Sequence, residues 1–166
     1  MPSITTESPG DGDAIRAVHR DAFASDDEAE LVDRLRAAES FDPARSLVAR
    51  EGATVVGHAL LSPVDGAGAW DALVLAPVAV APPWQGEGVG SALVREALDR
   101  AREDGWDAEF LHGSPAFYSR FGFRPAGELG FENPFDTPPE EFLVAVFTER
   151  SSPGGPVTYP GAFEGL

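Results

Sequence analysis

At 166 residues, 43% of them hydrophobic, the chain is long enough for one domain with a sizeable core and too short for two comfortable ones. Its 28 acidic residues outweigh 12 basic ones for a formal net charge of −16, which leaves no basic patch to meet nucleic-acid phosphates. Zero cysteines exclude disulfides and thiolate metal sites, His19, His58 and His112 lack ligand spacing, and no apolar run reaches the roughly eighteen residues of a membrane span.

The first residues, "MPSITTESPGDGD", carry neither the basic nor the apolar region of a signal peptide, so the chain reads as cytoplasmic. "PSITTES" alternates as a strand does. Ile15, Val18, His19, Ala22 and Phe23 then share one helical face, and "SDDE" at 25–28 predicts a capping box, with Ser25 as cap and Glu28 reaching back, that opens a second helix through Leu31, Val32 and Leu35. "SLVARE" and "TVVGHALLSPV" flank Gly52 as an antiparallel hairpin. "DALVLAPVAVA" is apolar enough for a strand buried on both faces, with Pro77 expected to bulge it or part it from a neighbour. After a glycine-rich turn, Val89, Leu93, Val94, Ala97, Leu98 and Ala101 predict a helix that stops at Gly105. "AEFLH" reads as a strand, "SPAFYSRF" as a short helix with Ser114 as cap and Pro115 at its first position, and "EFLVAVF" as a last strong strand. "RSSPGGP" at 150–156 reads as a flexible link to "VTYPGAFEGL".

All twelve basic residues are arginine, and the acids are spread along the chain instead of gathered in a tail. This composition suits a protein kept soluble in concentrated salt, where the Debye length shrinks to roughly 3 Å at about 1 M. The alternative is an acidic protein of ordinary salt tolerance encoded by a GC-rich genome.

The chemistry gathers around "QGEGVG", residues 85–90, between the strand "ALVLAPVAVA" and the helix "SALVREALDRA". A Walker loop needs a lysine that the chain does not have, and a dinucleotide fold needs its glycines at the first strand-to-helix turn. What remains is Q-x-x-G-x-G opening a helix, where Gly88 and Gly90 let backbone N–H groups approach an anion at the positive end of the helix dipole. The second constellation is "FYSRFGF", 117–123, which places Tyr118 on a short helix ahead of Gly122 among Phe117, Phe121 and Phe123. A tyrosine there either packs in the core or donates a proton into a cleft.

Together, "VLAPVAVAPPWQGEGVGSALVREAL" and, about thirty residues on, "YSRFGF" resemble the GNAT-type N-acetyltransferase superfamily over nearly the whole chain. The longer form "PAFYSRFGFRPA" with the terminal "VTYPGAF" is similar to its subgroup of small prokaryotic N-acetyltransferases. The resemblance implies an α/β (α+β) fold: a mixed, mostly antiparallel central sheet, splayed in the middle, with helices on both faces. It implies one domain over 1–166 with an extension over 150–166. It implies acetyl-coenzyme A as acetyl donor, its pantetheine paired with Val78, Ala79 and Val80 and its pyrophosphate held by Gln85, Gly86, Gly88, Val89, Gly90 and Ser91. Tyr118 matches the acid that protonates the leaving thiolate, with charge on the carbonyl oxygen developing near Val80. The base is open among Asp71, His112 and water. A small-molecule or peptide amine is the expected partner, and a homodimer is compatible with the reading; nucleic acid and membrane are not expected. Loss of catalysis, leaving a coenzyme A sensor on the same fold, is the competing expectation.

Overall fold

The computed structural model describes residues 2–151 and 153–164. In chain order the elements are β1 (Ser3–Thr6), α1 (Gly12–Ala22), α2 (Asp27–Ala37), β2 (Ser46–Glu51), β3 (Thr54–Pro63), β4 (Gly66–Ala67), β5 (Ala72–Val80), α3 (Val89–Glu103), β6 (Ala108–His112), α4 (Pro115–Tyr118), β7 (Arg124–Pro125), β8 (Phe131–Glu132), β9 (Phe142–Val146) and β10 (Gly155–Thr158). They gather into two compact units. One holds the chain up to Ser62, Ala76–Ala97 and the stretch from Ala162, and the other holds Pro63–Leu75 and Leu98–Gly161.

In the first unit β1, β2 and β3 are neighbours in that order, and the second half of β5 follows β3. β1 pairs antiparallel with β2 (Ile4 opposite Ala49), and β2 with β3 (Val48 opposite His58) across the turn at Gly52, whose φ is +61°. The hairpin read from the sequence is therefore present. α1 and α2 turn apolar stripes inward, so that Ile15 and Val32 pack on Val48. The start of α2 departs from the expected capping box: the cap is Asp26, without a side-chain bond, and Ser25 Oγ accepts only the Asp27 N–H at 3.3 Å. Glu28 Oε2 is buried with no hydrogen-bond partner and does not reach back. Ion pairs between segments of this unit include Arg36 with Glu7, Arg50 with Asp11 and Arg16 with Asp33, and the Arg50 guanidinium keeps the Asp11 carboxyl below its usual range.

Gly57 decides how near β3 can come to its neighbours. A Cβ there would lie 3.1 Å from Leu93 Cδ1, 3.2 Å from the Ala79 carbonyl oxygen and 3.2 Å from Val89 Cγ1. These contacts are tighter than a Cβ ordinarily makes, so a side chain there would push against the end of β5 and the first turns of α3.

In the second unit the strand order is β5, β6, β9, β7. β5 and β6 are parallel from Ala72–Ala108 to Val74–Phe110, the last pair described, and β6 is antiparallel to β9 throughout. The sheet is thus mixed and mostly antiparallel, with β5 shedding β6 partway along; Pro77 lies beyond that point, within an unbroken β5, after a cis peptide bond. Phe110 stacks on Phe142, and Phe131 stands edge-on to Phe110 with Trp70 beyond. β4, β10 and β8 make a small three-stranded sheet. The expected flexible link 150–156 is corrected on both sides of Ser152, which lies outside the described residues: Arg150 pairs with Asp107 at 2.9 Å and donates to the Ala69 carbonyl, and β10 already begins at Gly155.

Beneath α1 lies a buried polar chain. His19 Nε2 meets His58 Nδ1 at 2.8 Å, and His58 Nε2 meets Ser46 Oγ at 2.8 Å, with all three residues fully buried. Burial drives the His19 imidazole down to about 4, and burial and the neighbouring His19 push His58 well below its ordinary value. Both rings therefore fold neutral, whereas in the unfolded chain they protonate near pH 6.5. Stability from the pair is fully present above that value and is lost as pH falls towards about 4, by up to about 1.4 kcal/mol per pH unit for each ring. Urea unfolding at stepped pH should show a smaller loss for His19→Phe than for the parent between pH 7 and 4; equal losses would contradict the neutral pair.

Candidate functional site

The turn after β5 is built to expose backbone. Ala81 N–H donates to the Val56 carbonyl at 2.8 Å, which ties the strand's end to β3, and Pro82–Trp84 form one tight 3-10 turn. Gln85 Nε2 then donates to the Val80 carbonyl at 2.9 Å, so its side chain clips the loop to the strand it leaves. Gly86 and Gly88 have φ of +78° and +89°, a region that L side chains rarely enter. Gln85 to Gly88 are exposed, and a Cβ at Gly86 would meet nothing within 4 Å. α3 begins directly at Val89, itself buried, with Gly90 and Ser91 half-buried in its first turn. The N–H groups of a first helical turn have no carbonyl partners within the helix, and the dipole adds positive potential there. All nine residues expected to hold a cofactor, Val78 to Val80 and Gln85, Gly86, Gly88, Val89, Gly90 and Ser91, thus lie on one strand end, turn and helix start in the first unit. Gly90 is helical, so positive φ is demanded at Gly86 and Gly88 instead.

Tyr118 belongs to the second unit. Ser114 caps α4 with Pro115 at the first position, as expected, and Tyr118 N–H donates to the Ser114 carbonyl at 3.0 Å. The chain tightens through Ser119–Phe121 and ends at Gly122, whose φ is +93°. The half-buried Tyr118 ring stands edge-on to Phe117 at 4.9 Å and to Phe123 at 5.8 Å. It packs so closely on β6's end that a Cβ at Gly113 would collide with it. Burial first, and the field of Glu109 second, raise the Tyr118 phenol above its ordinary value, so it stays protonated at neutral pH.

His112 is engaged on both ring nitrogens. Asn133 Nδ2 donates to Thr137 Oγ1 at 2.9 Å and to the Thr137 carbonyl, which turns Asn133 Oδ1 towards His112 Nε2 at 2.9 Å. Nε2 therefore carries the hydrogen, and Nδ1 accepts from the Tyr159 hydroxyl at 3.1 Å. Phe142 stacks on the ring at 5.0 Å, and burial lowers its basicity. Asp71 is exposed, and its backbone N–H and carbonyl are both taken by Asp107, through Oδ2 and the backbone N–H.

Glu109 was not legible as a site residue. It sits in the middle of β6, fully buried, with both carboxylate oxygens lacking a hydrogen-bond partner, and desolvation lifts it to about 8. The one signal in the sequence is a lone acid inside the apolar run "AEFLH".

The profile of the Acetyltransferase (GNAT) family matches residues 12–123. The uncharacterized N-acetyltransferase YjhQ of Escherichia coli K12 is 38% identical over 162 residues, covering 95% of this chain and 87% of its own. Among solved structures, the GNAT-family N-acetyltransferase YhbS from Escherichia coli in complex with CoA superposes with a TM-score of 0.90 at 34% identity, over 98% of this chain and 91% of that one. A GNAT-family acetyltransferase from Brucella melitensis in complex with acetyl-CoA superposes with a TM-score of 0.82 at 35% identity, over 99% of each chain. No helix among the described residues is long and apolar enough to cross a membrane. With two thirds of its length inside the family profile, and its strand, glycine turn, helix and tyrosine turn in place, the chain belongs to the acetyltransferase (GNAT) family.

Proposed function

We propose that residues 1–166 act as one acetyltransferase domain that moves the acetyl group of acetyl-coenzyme A to a primary amine by direct attack in a ternary complex. The observation that carries this is the open turn 85–88 feeding the start of α3, a fit for a pyrophosphate; the relatives solved with CoA and with acetyl-CoA support it. Backbone N–H groups at Gly86, Gly88, Val89, Gly90 and Ser91 hold the pyrophosphate, with Gln85 keeping the turn on its strand. Val78 to Val80 offer the pantetheine a strand edge. These donors are local and uncharged, so they hold an anion even on a chain of net charge −16. Tyr118 delivers a proton to the departing thiolate. His112 keeps no spare lone pair and Asp71 has no buried partner to position it, so water takes the ammonium proton. The acceptor class follows from a screen of polyamines, aminoglycosides, amino acids and peptide N-termini.

Cofactor binding should fail when the loop's backbone is disturbed. Gly88→Val forces an L side chain to positive φ, at a cost of about 1–2 kcal/mol, and should weaken acetyl-coenzyme A binding at least about tenfold in calorimetry while circular dichroism is unchanged. Undiminished affinity would remove the loop from the site.

Tyr118→Phe keeps the ring and deletes the hydroxyl. Acetyl transfer should fall by roughly 10²–10⁴ with cofactor affinity retained. Single-turnover kinetics make the comparison independent of product release, and a rate within a few-fold of the parent would leave Tyr118 a packing residue.

We propose that the charge of −16 without lysine is an adaptation to high salt. Lowering salt from molar to millimolar should depress the melting temperature through unscreened repulsion. A melting temperature that holds steady would refute the adaptation.

A further inference from the structure

Glu109 and Tyr118 lie on one side of β6. Side chains alternate along a strand, so Glu109 and Leu111 share a face. A Cβ at Gly113, two residues on, would lie against the Tyr118 ring and 3.5 Å from Leu111 Cδ1, which puts Tyr118 over that same face. Within the sheet Glu109 stands beside Leu73 of β5 and Ala145 of β9, both buried and apolar. The charged or titratable groups that act on it are Arg102 from α3 and Tyr118 from α4. A wholly buried carboxyl with no hydrogen bond to either oxygen is costly.

We propose that Glu109 is a positioning residue whose charge state controls the readiness of Tyr118 to give up its proton, the neutral carboxyl marking the competent state. The role of Tyr118 as acid rests on the function proposed above; the coupling between the two residues does not. With Glu109 neutral, a phenolate left behind by Tyr118 faces no like charge. Once Glu109 ionises, at about 8, its charge opposes the phenolate across a medium of low dielectric, and proton donation becomes harder. Arg102 counters this only in part, since burial outweighs its field. The arrangement predicts transfer that declines above about pH 8 although Tyr118 itself remains protonated.

The chain has two tyrosines, so protein labelled with ¹³C at tyrosine Cζ gives two signals that can be followed with pH in the absence of any substrate. The Tyr118 signal should step with a midpoint near pH 8 in the parent, and Glu109→Gln should abolish the step and let Tyr118 ionise at lower pH. Tyr159, held by His112, serves as internal control. A parent without the step, or a step that survives in Glu109→Gln, overturns the proposal. The parent measurement stands alone should the variant fail to fold. A step present while Tyr118→Phe transfers acetyl normally would uphold the coupling and overturn the acid assignment instead.

Discussion

The missing side chain at position 57 sets how closely β3 approaches the end of β5 and the start of α3, between which the glycine turn runs. A methyl group at position 57 would stand 3.1 Å from Leu93 Cδ1 and 3.2 Å from both the Ala79 carbonyl oxygen and Val89 Cγ1, so these neighbours would have to yield slightly to admit it. The end of β5 is tied to β3 again by the Ala81 N–H on Val56, and the turn is tied to the strand by Gln85 on Val80. Strand end, turn and helix start are therefore held from below by backbone and packing, so the exposed N–H groups above are fixed before any ligand arrives. Such preorganisation spares the ordering cost that a flexible loop would bring to binding.

Buried polar groups divide into two kinds. Ser46, His58 and His19 form a chain in which His58 is satisfied at both nitrogens, and His112 is satisfied by Asn133 and Tyr159. Such groups specify packing, because each hydrogen bond admits one arrangement. Glu109 has burial without partners. The same desolvation that keeps the histidines neutral keeps the carboxyl protonated, and only the latter changes charge near the pH at which proteins work.

Most of the first unit was legible because its signals are local. Apolar spacing gave both N-terminal helices, Gly52 the hairpin, and Q-x-x-G-x-G the turn. The second helix begins two residues after Ser25, with Asp26 at the cap position, because Ser25 and Asp26 are adjacent residues of comparable cap preference that the sequence alone does not rank. The second unit depends on contacts between distant segments. The motif around Tyr118 announced the tyrosine, but the partners of His112 come from Asn133 and Tyr159, 21 and 47 residues away, and no periodicity links them. Nor could composition tell that Arg150 would anchor on Asp107 and Ala69 where a serine- and glycine-rich link was expected.

β10 runs between β4 and β8, pairing antiparallel with the first through Val157–Ala67 and parallel with the second through Gly155–Phe131. It leads into Tyr159, on which the orientation of His112 rests. During synthesis the ribosome must release this stretch before either neighbour has its partner and before His112 has a donor for Nδ1. Until then the nascent second unit presents unpaired strand edges and a half-satisfied imidazole, a species open to chaperones and to pairing with other chains. Its assembly is therefore a late event, completed only once the last quarter of the unit has emerged, whereas the hairpin and helices of the first unit can form while translation continues.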